Sequence, residues 1–265
     1  MPRVPYVTSN GAKLYWEEHG AGDPILLIMG LGASLEAWDR TAPVLAARYR
    51  VILFDNRGVG RSEVPPGPYS LEMMADDAAA ILDAAGVQSA HVYGASMGGM
   101  IAQEFALRHP TRVRKLILGC TACGGREVVR AEPEVVTALN ARAKMPREEA
   151  MWMMAPYIYD VSTPREHIEE DFRSRLSANG SNEGYAAQYQ AIVGWKGSLA
   201  RLGGLQMPTL VIHGETDRLV PPDNGRIIAR AIPGSKLLML PRASHIYMTD
   251  QNEAASAAIM SFLQE

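Results

Sequence analysis

The 265-residue chain lacks the features that mark membrane, secreted or nucleic-acid-binding proteins. It has no run of about 18 apolar residues, the length that a membrane-spanning helix needs. Residues 1–5 (Met-Pro-Arg-Val-Pro) do not begin the apolar run of a signal peptide, and we therefore expect a cytoplasmic protein. The net charge is only −3 and no basic block occurs, so we expect no nucleic-acid partner.

Cysteine is also scarce. The two cysteines, Cys120 and Cys123, have Cys-x-x-Cys spacing, but a redox pair of this kind needs a helix N-terminus. Here the pair follows the apolar run 116–118, so we expect two small buried residues at a strand end and no redox or metal site. Internal repeats and low-complexity tracts are absent. With 47% hydrophobic and 21% charged residues, the chain has the composition of one large globular α/β domain.

One short stretch, residues 92–99 (Val-Tyr-Gly-Ala-Ser-Met-Gly-Gly), determines how the rest of the chain is interpreted. The apolar run 90–93 leads into it, and apolar residues recur at every fourth position after it. The pattern predicts a strand, a tight turn and a helix. The turn is Gly-x-Ser-x-Gly, in which Gly94 and Gly98 give room for a strained backbone that presents the Ser96 hydroxyl. We therefore predict that Ser96 is a nucleophile.

Other apolar runs predict the remaining strands of the sheet. They cover residues 13–18, 25–28, 51–54, 113–118, 209–212 and 237–240. Alternating polarity in 13–18 indicates an antiparallel edge strand, whereas the continuous apolar runs are typical of strands covered on both faces. Helical patterns alternate with these runs, so we expect an α/β fold with a doubly wound, mostly parallel sheet.

From about residue 124 to residue 204 no buried strand is predicted. The segment is charged, rich in helical patterns and punctuated by prolines. A helical insertion of this size at the carboxyl edge of a sheet would cover the site there. We predict that Trp152 and Trp195 line a substrate pocket beneath it, although each could instead belong to the core of the insertion.

A serine hydroxyl is a weak nucleophile until a neighbouring base, often a histidine oriented by a carboxylate, takes its proton. His245 follows the last predicted strand, and Asp217 follows the strand before it. Ser96, Asp217 and His245 each follow a predicted parallel strand, so all three lie at the carboxyl edge of the sheet. Parallel sheets bind their ligands at this edge. We predict a catalytic triad of Ser96, Asp217 and His245, with Glu215 as the alternative acid.

The oxyanion formed by attack on a carbonyl group needs two N–H donors. One candidate is the N–H of Met97, directly after Ser96 and at the start of a helix. The loop 29–33 follows an early strand, and we expect the N–H of Leu31 to be the second donor. Gly30, in the same loop, is predicted to line the substrate pocket.

These motifs together resemble the α/β-hydrolase family, in its branch of capped carboxylesterases, lactonases and cofactor-free perhydrolases. The resemblance covers nearly the whole chain and is carried by residues 29–32, 55–62, 94–99, 213–217 and 243–245. Met29 occupies a position where many members have histidine. The turn 55–62 is structural in such proteins, so Arg57 has no implied catalytic role. Dehalogenases and epoxide hydrolases of this fold use an aspartate nucleophile, and Ser96 stands in that place.

The resemblance implies an α/β-hydrolase fold with a helical cap inserted after the sixth strand. Residues 1–123 and 204–265 would form the core, and residues 124–203 the cap. The implied activity is that of a serine carboxylester hydrolase for small-to-medium acyl esters, without cofactor or metal.

Alternatives in the same chemistry are a lactonase similar to the 3-oxoadipate enol-lactonases and a perhydrolase. A ligand receptor with negligible turnover and a lyase that forms no acyl-enzyme are different classes. The expected partner is a small ester or lactone, with no nucleic acid and no membrane, and a homo-oligomer is compatible with the sequence.

Overall fold

The structure, a computed structural model, describes residues 5–142 and 144–265. Within these residues one sheet of eight strands runs in the order β1-β2-β4-β3-β5-β6-β7-β8. The strands are β1 (Tyr6–Ser9), β2 (Ala12–His19), β3 (Asp23–Ile28), β4 (Tyr49–Phe54), β5 (Ala90–Ala95), β6 (Val113–Gly119), β7 (Thr209–Gly214) and β8 (Lys236–Leu240). The pairs from β4 through β8 are all parallel, which confirms the predicted mostly parallel sheet.

The antiparallel end of the sheet differs from the prediction in one respect. The strand predicted at residues 13–18 is β2, which pairs antiparallel with β4 but does not form the edge. Strand β1 pairs antiparallel with the outer side of β2 and forms the edge, and a tight turn at Asn10 and Gly11 joins the two strands. Both turn residues have positive φ, 45° and 73°. This is the conformation that a two-residue hairpin turn requires and that Asn-Gly favours.

Helices cover both faces of the sheet. Those of the core are α1 (Ala42–Ala46), α2 (Leu71–Ala84), α3 (Met97–Arg108), α9 (Asp223–Ala231), α10 (Tyr247–Asp250) and α11 (Asn252–Gln264). Alternate residues of β3 enter two different apolar clusters, Leu26 and Ile28 in one, Ile25 and Leu27 in the other. Because side chains alternate across a strand, one cluster lies on each face of the sheet, as a doubly wound fold requires.

The segment between β6 and β7 is helical, as predicted. We call it the insert; it contains α4 (Pro133–Arg142), α5 (Arg147–Ile158), α6 (Arg165–Ser177), α7 (Asn182–Gly194) and α8 (Leu199–Leu202). Met154, Ile158 and Phe172 belong to an apolar cluster of the insert that also includes Ile246 of the core. The insert therefore packs beside the loop that carries His245. None of the helices in the described residues has the length and apolar content needed to cross a membrane.

Candidate active site

Ser96 lies in a strained turn between β5 and α3. Its φ of 58° and ψ of −123° fall outside the regions that non-glycine residues normally adopt, which costs about 1–3 kcal/mol. Neighbouring glycines make the turn possible, since a Cβ on Gly98 would collide with the carbonyl oxygen of Ile28. A Cβ on Gly94 would likewise collide with the carbonyl of Gly98. The sequence pattern predicted this setting because glycine is needed wherever backbones approach so closely.

Hydrogen bonds fix the strained residue from both sides. The Ser96 N–H donates to the carbonyl oxygen of Gly119 at 2.9 Å, and the hydroxyl of Thr121 donates to the Ser96 carbonyl at 2.7 Å. The N–H groups of Gly99 and Met100 donate to the same carbonyl as α3 begins. The turn is therefore held by the neighbouring strand β6 as well as by its own helix.

The structure brings Ser96, His245 and Asp217 together in one hydrogen-bonded chain. Ser96 Oγ lies 3.0 Å from His245 Nε2, and His245 Nδ1 lies 2.8 Å from Asp217 Oδ2. All three follow strands of the parallel sheet, at its carboxyl edge. Glu215, the alternative acid, is exposed, and its side chain forms no hydrogen bond or ion pair within the described residues.

Asp217 is buried and surrounded by donors. Its Oδ1 accepts the N–H groups of Leu219 at 2.9 Å and Val220 at 2.8 Å. Its Oδ2 also lies 3.2 Å from Nε2 of His213, a second histidine that donates to the carbonyl of Val220 at 2.8 Å. Burial raises the pKa of Asp217, but the charge of His245 and the hydrogen bonds of both histidines outweigh it and lower the pKa to about 2.

The charge of Asp217 determines which nitrogen of His245 carries the proton. An ionised carboxylate only accepts hydrogen bonds, so His245 Nδ1 must be the donor in the 2.8 Å contact. In the neutral imidazole Nε2 then has a free lone pair, directed at the Ser96 hydroxyl. The arrangement is suited to removing a proton from Ser96.

The N–H groups of Leu31 and Met97 donate to no acceptor within the described residues. Both residues line the same cavity as Ser96. The loop that holds Leu31 is supported by its neighbours: Asn56 Nδ2 donates to the Met29 carbonyl at 2.9 Å, and the Gly32 N–H donates to Gln188 Oε1 at 2.8 Å. The two unpaired N–H groups are available for a negatively charged oxygen beside Ser96.

A cavity of about 280 Å³ opens onto Ser96 and His245. Its lower wall comes from the loops after β3 and β5, and its upper wall from the insert. On the insert side, Met151, Met154 and Ile158 share one face of α5 and line the cavity. Gly30 also lines this cavity, and a Cβ on this residue would lie only 2.9 Å from Ser96 Cβ.

The described residues that line this cavity do not include Trp152 or Trp195. The prediction that these two tryptophans line the pocket was therefore wrong for this cavity. Trp152 lies on another face of α5, where its ring meets Phe172 edge-on at 4.9 Å and Arg165 packs over it. Trp195 is buried at the end of α7, and its Nε1 donates to Glu104 of α3 at 2.8 Å. Both tryptophans therefore pack within the structure, the second where the insert joins the core.

Several residues of the site had no local sequence signal. Gln188 of α7 is fully buried and contacts the loop after β3 across the chain. His213 was recognisable only as a histidine at a strand end, four residues before Asp217. Cys120 also lines the cavity, as a free buried thiol whose pKa burial raises well above its ordinary value.

Comparisons with known proteins identify relatives that share this fold along nearly the whole chain. Residues 23–250 match the family model described as alpha/beta hydrolase fold. A proposed carbamate hydrolase of Azorhizobium caulinodans is 31% identical over 99% of both chains. The enol-lactonase from Burkholderia xenovorans LB400 superposes with a TM-score of 0.87 at 29% identity, covering 98% of this chain and 100% of its own. A thermophilic esterase from Thermogutta terrifontis superposes with a TM-score of 0.84 at 31% identity, covering 98% and 97%.

Proposed function

Because the chain belongs to the α/β-hydrolase family, we propose that it is a serine carboxylester hydrolase that acts on small-to-medium acyl esters. The observation that carries this proposal is the hydrogen-bonded chain from Ser96 through His245 to Asp217. Ser96 and His245 line a cavity, and two backbone N–H groups without a partner in the described residues belong to residues of the same cavity wall. A nucleophile, an oriented base and an oxyanion site are the parts that acyl transfer requires.

In the first half of the reaction, His245 Nε2 takes the Ser96 proton as Oγ attacks the ester carbonyl. The carbonyl oxygen becomes an oxyanion and accepts the N–H groups of Leu31 and Met97. The ionised Asp217 stabilises the imidazolium that forms. His245 then gives its proton to the leaving oxygen, the alcohol departs and an acyl-serine remains.

In the second half, a water molecule takes the place of the alcohol. His245 removes a proton from the water, which attacks the acyl-serine carbonyl, and the same two N–H groups hold the second oxyanion. Collapse of this intermediate returns the proton to Ser96 and releases the acid. The scheme requires no metal and no cofactor.

We also propose that residues 124–203 act as a cap over a core formed by residues 1–123 and 204–265. Support comes from the apolar cluster of the insert and from α5, which forms part of the cavity wall. A cavity of about 280 Å³ favours short to medium acyl groups. Each added CH₂ contributes about 0.8 kcal/mol only while it still fits.

A lactonase is the second candidate. The likeness to the enol-lactonase from Burkholderia xenovorans extends over 98% of this chain and includes the insert. A lactone is a cyclic ester, so the same attack by Ser96 opens the ring while the alcohol stays joined to the acyl group. The two candidates therefore differ in substrate shape and share one mechanism.

The proposal is tested with a panel of short and medium 4-nitrophenyl esters, lactones and aryl carbamates on one preparation. We expect steady ester turnover that Ser96→Ala reduces by at least about 10³-fold while the fold is retained. Mass spectrometry after an organophosphate should place the adduct on Ser96. An adduct on another residue, or an active Ser96→Ala variant, would contradict the mechanism, and a burst without turnover would indicate a receptor.

A further inference from the structure

Among the described residues, the charges that face the cavity are all positive, apart from the titratable His245. Three arginines line it, Arg142 at the end of α4, Arg147 at the start of α5 and Arg175 in α6. All three come from the insert, so they belong to the insert wall of the cavity. Ser96 belongs to the other wall, which the loops after β3 and β5 form. No aspartate or glutamate lines the cavity within the part of the chain that the structure describes.

One of the three arginines already has partners. Arg147 donates to the carbonyl oxygens of Ala178 at 2.6 Å and Arg175 at 2.9 Å, and so joins the start of α5 to the end of α6. The guanidinium groups of Arg142 and Arg175 form no ion pair and no hydrogen bond within the described residues. The side chains of both are half-buried. In the described part of the chain, these two cations therefore have no anionic partner.

The carboxylate that lies one helical turn before Arg175 is already bound elsewhere. Asp171 accepts Arg40 Nε at 2.8 Å through Oδ1. Its Oδ2 accepts the hydroxyl groups of Tyr159 at 3.0 Å and Thr249 at 2.5 Å. With these partners Asp171 does not neutralise Arg175.

Tyr185 of α7 adds a donor beside the two arginines. It lines the cavity and is 8% exposed, yet its hydroxyl has no hydrogen-bond partner within the described residues. The Arg142 guanidinium packs over its ring, 4.9 Å from the centroid. A buried hydroxyl without a partner is costly, and this cost disappears when it donates a hydrogen bond to a ligand oxygen.

The unpaired guanidinium groups of Arg142 and Arg175 carry a similar cost. Burial lowers the pKa of Arg142; Tyr185 raises it in part, and the positive charges of Arg175 and Arg147 lower it further. A guanidinium group that is partly removed from water gains when an opposite charge joins it. A planar carboxylate matches both the guanidinium fork and the Tyr185 hydroxyl.

We propose that the substrate carries a carboxylate distal to the ester bond, bound by Arg142, Arg175 and the Tyr185 hydroxyl. This inference rests on the proposed function, because it assigns the substrate class of the Ser96 site. The reacting carbonyl lies at the sheet wall and the carboxylate at the insert wall. The substrate class is thus a half-ester of a dicarboxylic acid, or an ester or lactone whose alcohol part bears the carboxylate.

Matched substrate pairs test this inference. Mono(4-nitrophenyl) glutarate and its methyl ester compare a carboxylate with a neutral group on the acyl side. 4-(Butanoyloxy)benzoate and its methyl ester make the same comparison on the alcohol side. For each pair the ratio of kcat/KM, anionic over neutral, is measured at low and high salt.

We expect the ratio to exceed about 10 for at least one pair. Arg142→Gln and Arg175→Gln should each lower it by about 10- to 100-fold, and Tyr185→Phe by about 5-fold, because charged hydrogen bonds are the stronger ones. Arg173→Gln is the matched control, since this exposed residue lies two positions before Arg175 and does not line the cavity. It should leave the ratio unchanged.

A direct binding measurement separates this inference from the proposed function. Calorimetry on Ser96→Ala protein compares monomethyl glutarate with dimethyl glutarate, and needs no turnover. Selective binding of the anion that Arg142→Gln abolishes would support the carboxylate site even if no ester is hydrolysed. Ester turnover with a ratio near 1, or equal ratios in wild type and both arginine variants, would overturn the carboxylate site and leave the hydrolase intact.

Discussion

Replacing Asp217 by asparagine is expected to move the proton of His245 from one ring nitrogen to the other, while the number of heavy atoms in the site stays the same. The N–H groups of Leu219 and Val220 both point at Oδ1, so the asparagine carbonyl oxygen must take that position. Its NH₂ group then replaces Oδ2, 2.8 Å from His245 Nδ1. An NH₂ group donates, so Nδ1 must accept and the proton moves to Nε2. The imidazole can then no longer take the Ser96 proton.

The structure sets the expected size of two effects of Asp217→Asn, the loss of turnover and the loss of folding stability. Loss of the correct tautomer should lower kcat by about 10⁴-fold. The pKa of Asp217 is held at about 2, against 3.8 in its ordinary range, so ionisation stabilises the folded protein by about 2 kcal/mol. The NH₂ group would also face the N–H of His213, which lies 3.2 Å from Oδ2. We therefore expect the variant to fold, with a free energy of unfolding lower by about 2–3 kcal/mol.

The assay combines steady-state hydrolysis of a 4-nitrophenyl ester with urea unfolding of the same preparations. Glu215→Gln is the matched control, because this nearby carboxylate is exposed and should be silent in both measurements. Asp217→Asn that keeps kcat within about 10-fold of wild type would refute the tautomer argument. A dead Glu215→Gln with an active Asp217→Asn would transfer the acid role to Glu215.

Two further predictions concern the cap and pH. Met154→Ala should shift the acyl-length preference because Met154 lines the cavity, whereas Trp195→Ala should lower the free energy of unfolding by about 3–5 kcal/mol and leave the preference unchanged. Equal acyl-length profiles in both variants and wild type would show that the cap does not form the pocket. Because the folded pKa of Asp217 lies below its unfolded value, its stabilisation is complete above about pH 5 and is lost as pH falls toward 2. The stability difference between wild type and Asp217→Asn should therefore shrink by about 2 kcal/mol over that range, as measured by urea unfolding; a constant difference would contradict the pKa assignment.

The sheet and the three residues at its edge were predictable because both depend on local patterns. Continuous apolar runs identify buried parallel strands. Each of Ser96, Asp217 and His245 follows such a run, and the carboxyl ends of parallel strands meet at one edge. The strain at Ser96 could be anticipated for the same reason, since the glycines that permit it adjoin it in the sequence.

Strand β1 was missed although its turn has a strong local signal. Asn10 and Gly11 form the tight turn that this residue pair favours. The strand before it has only four residues, Tyr6–Ser9, of which two are polar. Such a short segment shows no clear alternation, so the prediction placed the edge one strand too far in.

The tryptophans were misplaced because composition does not specify which face of a helix meets a cavity. In α5 the cavity side follows the spacing of Met151, Met154 and Ile158, and Trp152 falls outside it. Trp195 follows the last residue of α7 and pairs with Glu104, 91 positions away in the chain. Contacts across such a separation depend on how the insert docks, which no local pattern encodes.

The docking of the insert also determines the geometry of the oxyanion loop. The Met29 side chain has no hydrogen-bond donor, and Gln188 of the insert holds the same loop by accepting the Gly32 N–H at 2.8 Å. Its amide group also donates to the Arg57 carbonyl at 2.7 Å, so Gln188 joins two core loops from α7. Tyr185, one turn earlier, packs against Gly32 so closely that a Cβ there would lie 2.6 Å from the ring. One turn of α7 thus contacts the loop that carries a proposed oxyanion donor. The same turn presents the Tyr185 hydroxyl that we propose binds the substrate carboxylate. Binding of the carboxylate and the geometry of the oxyanion loop therefore depend on the same helix turn.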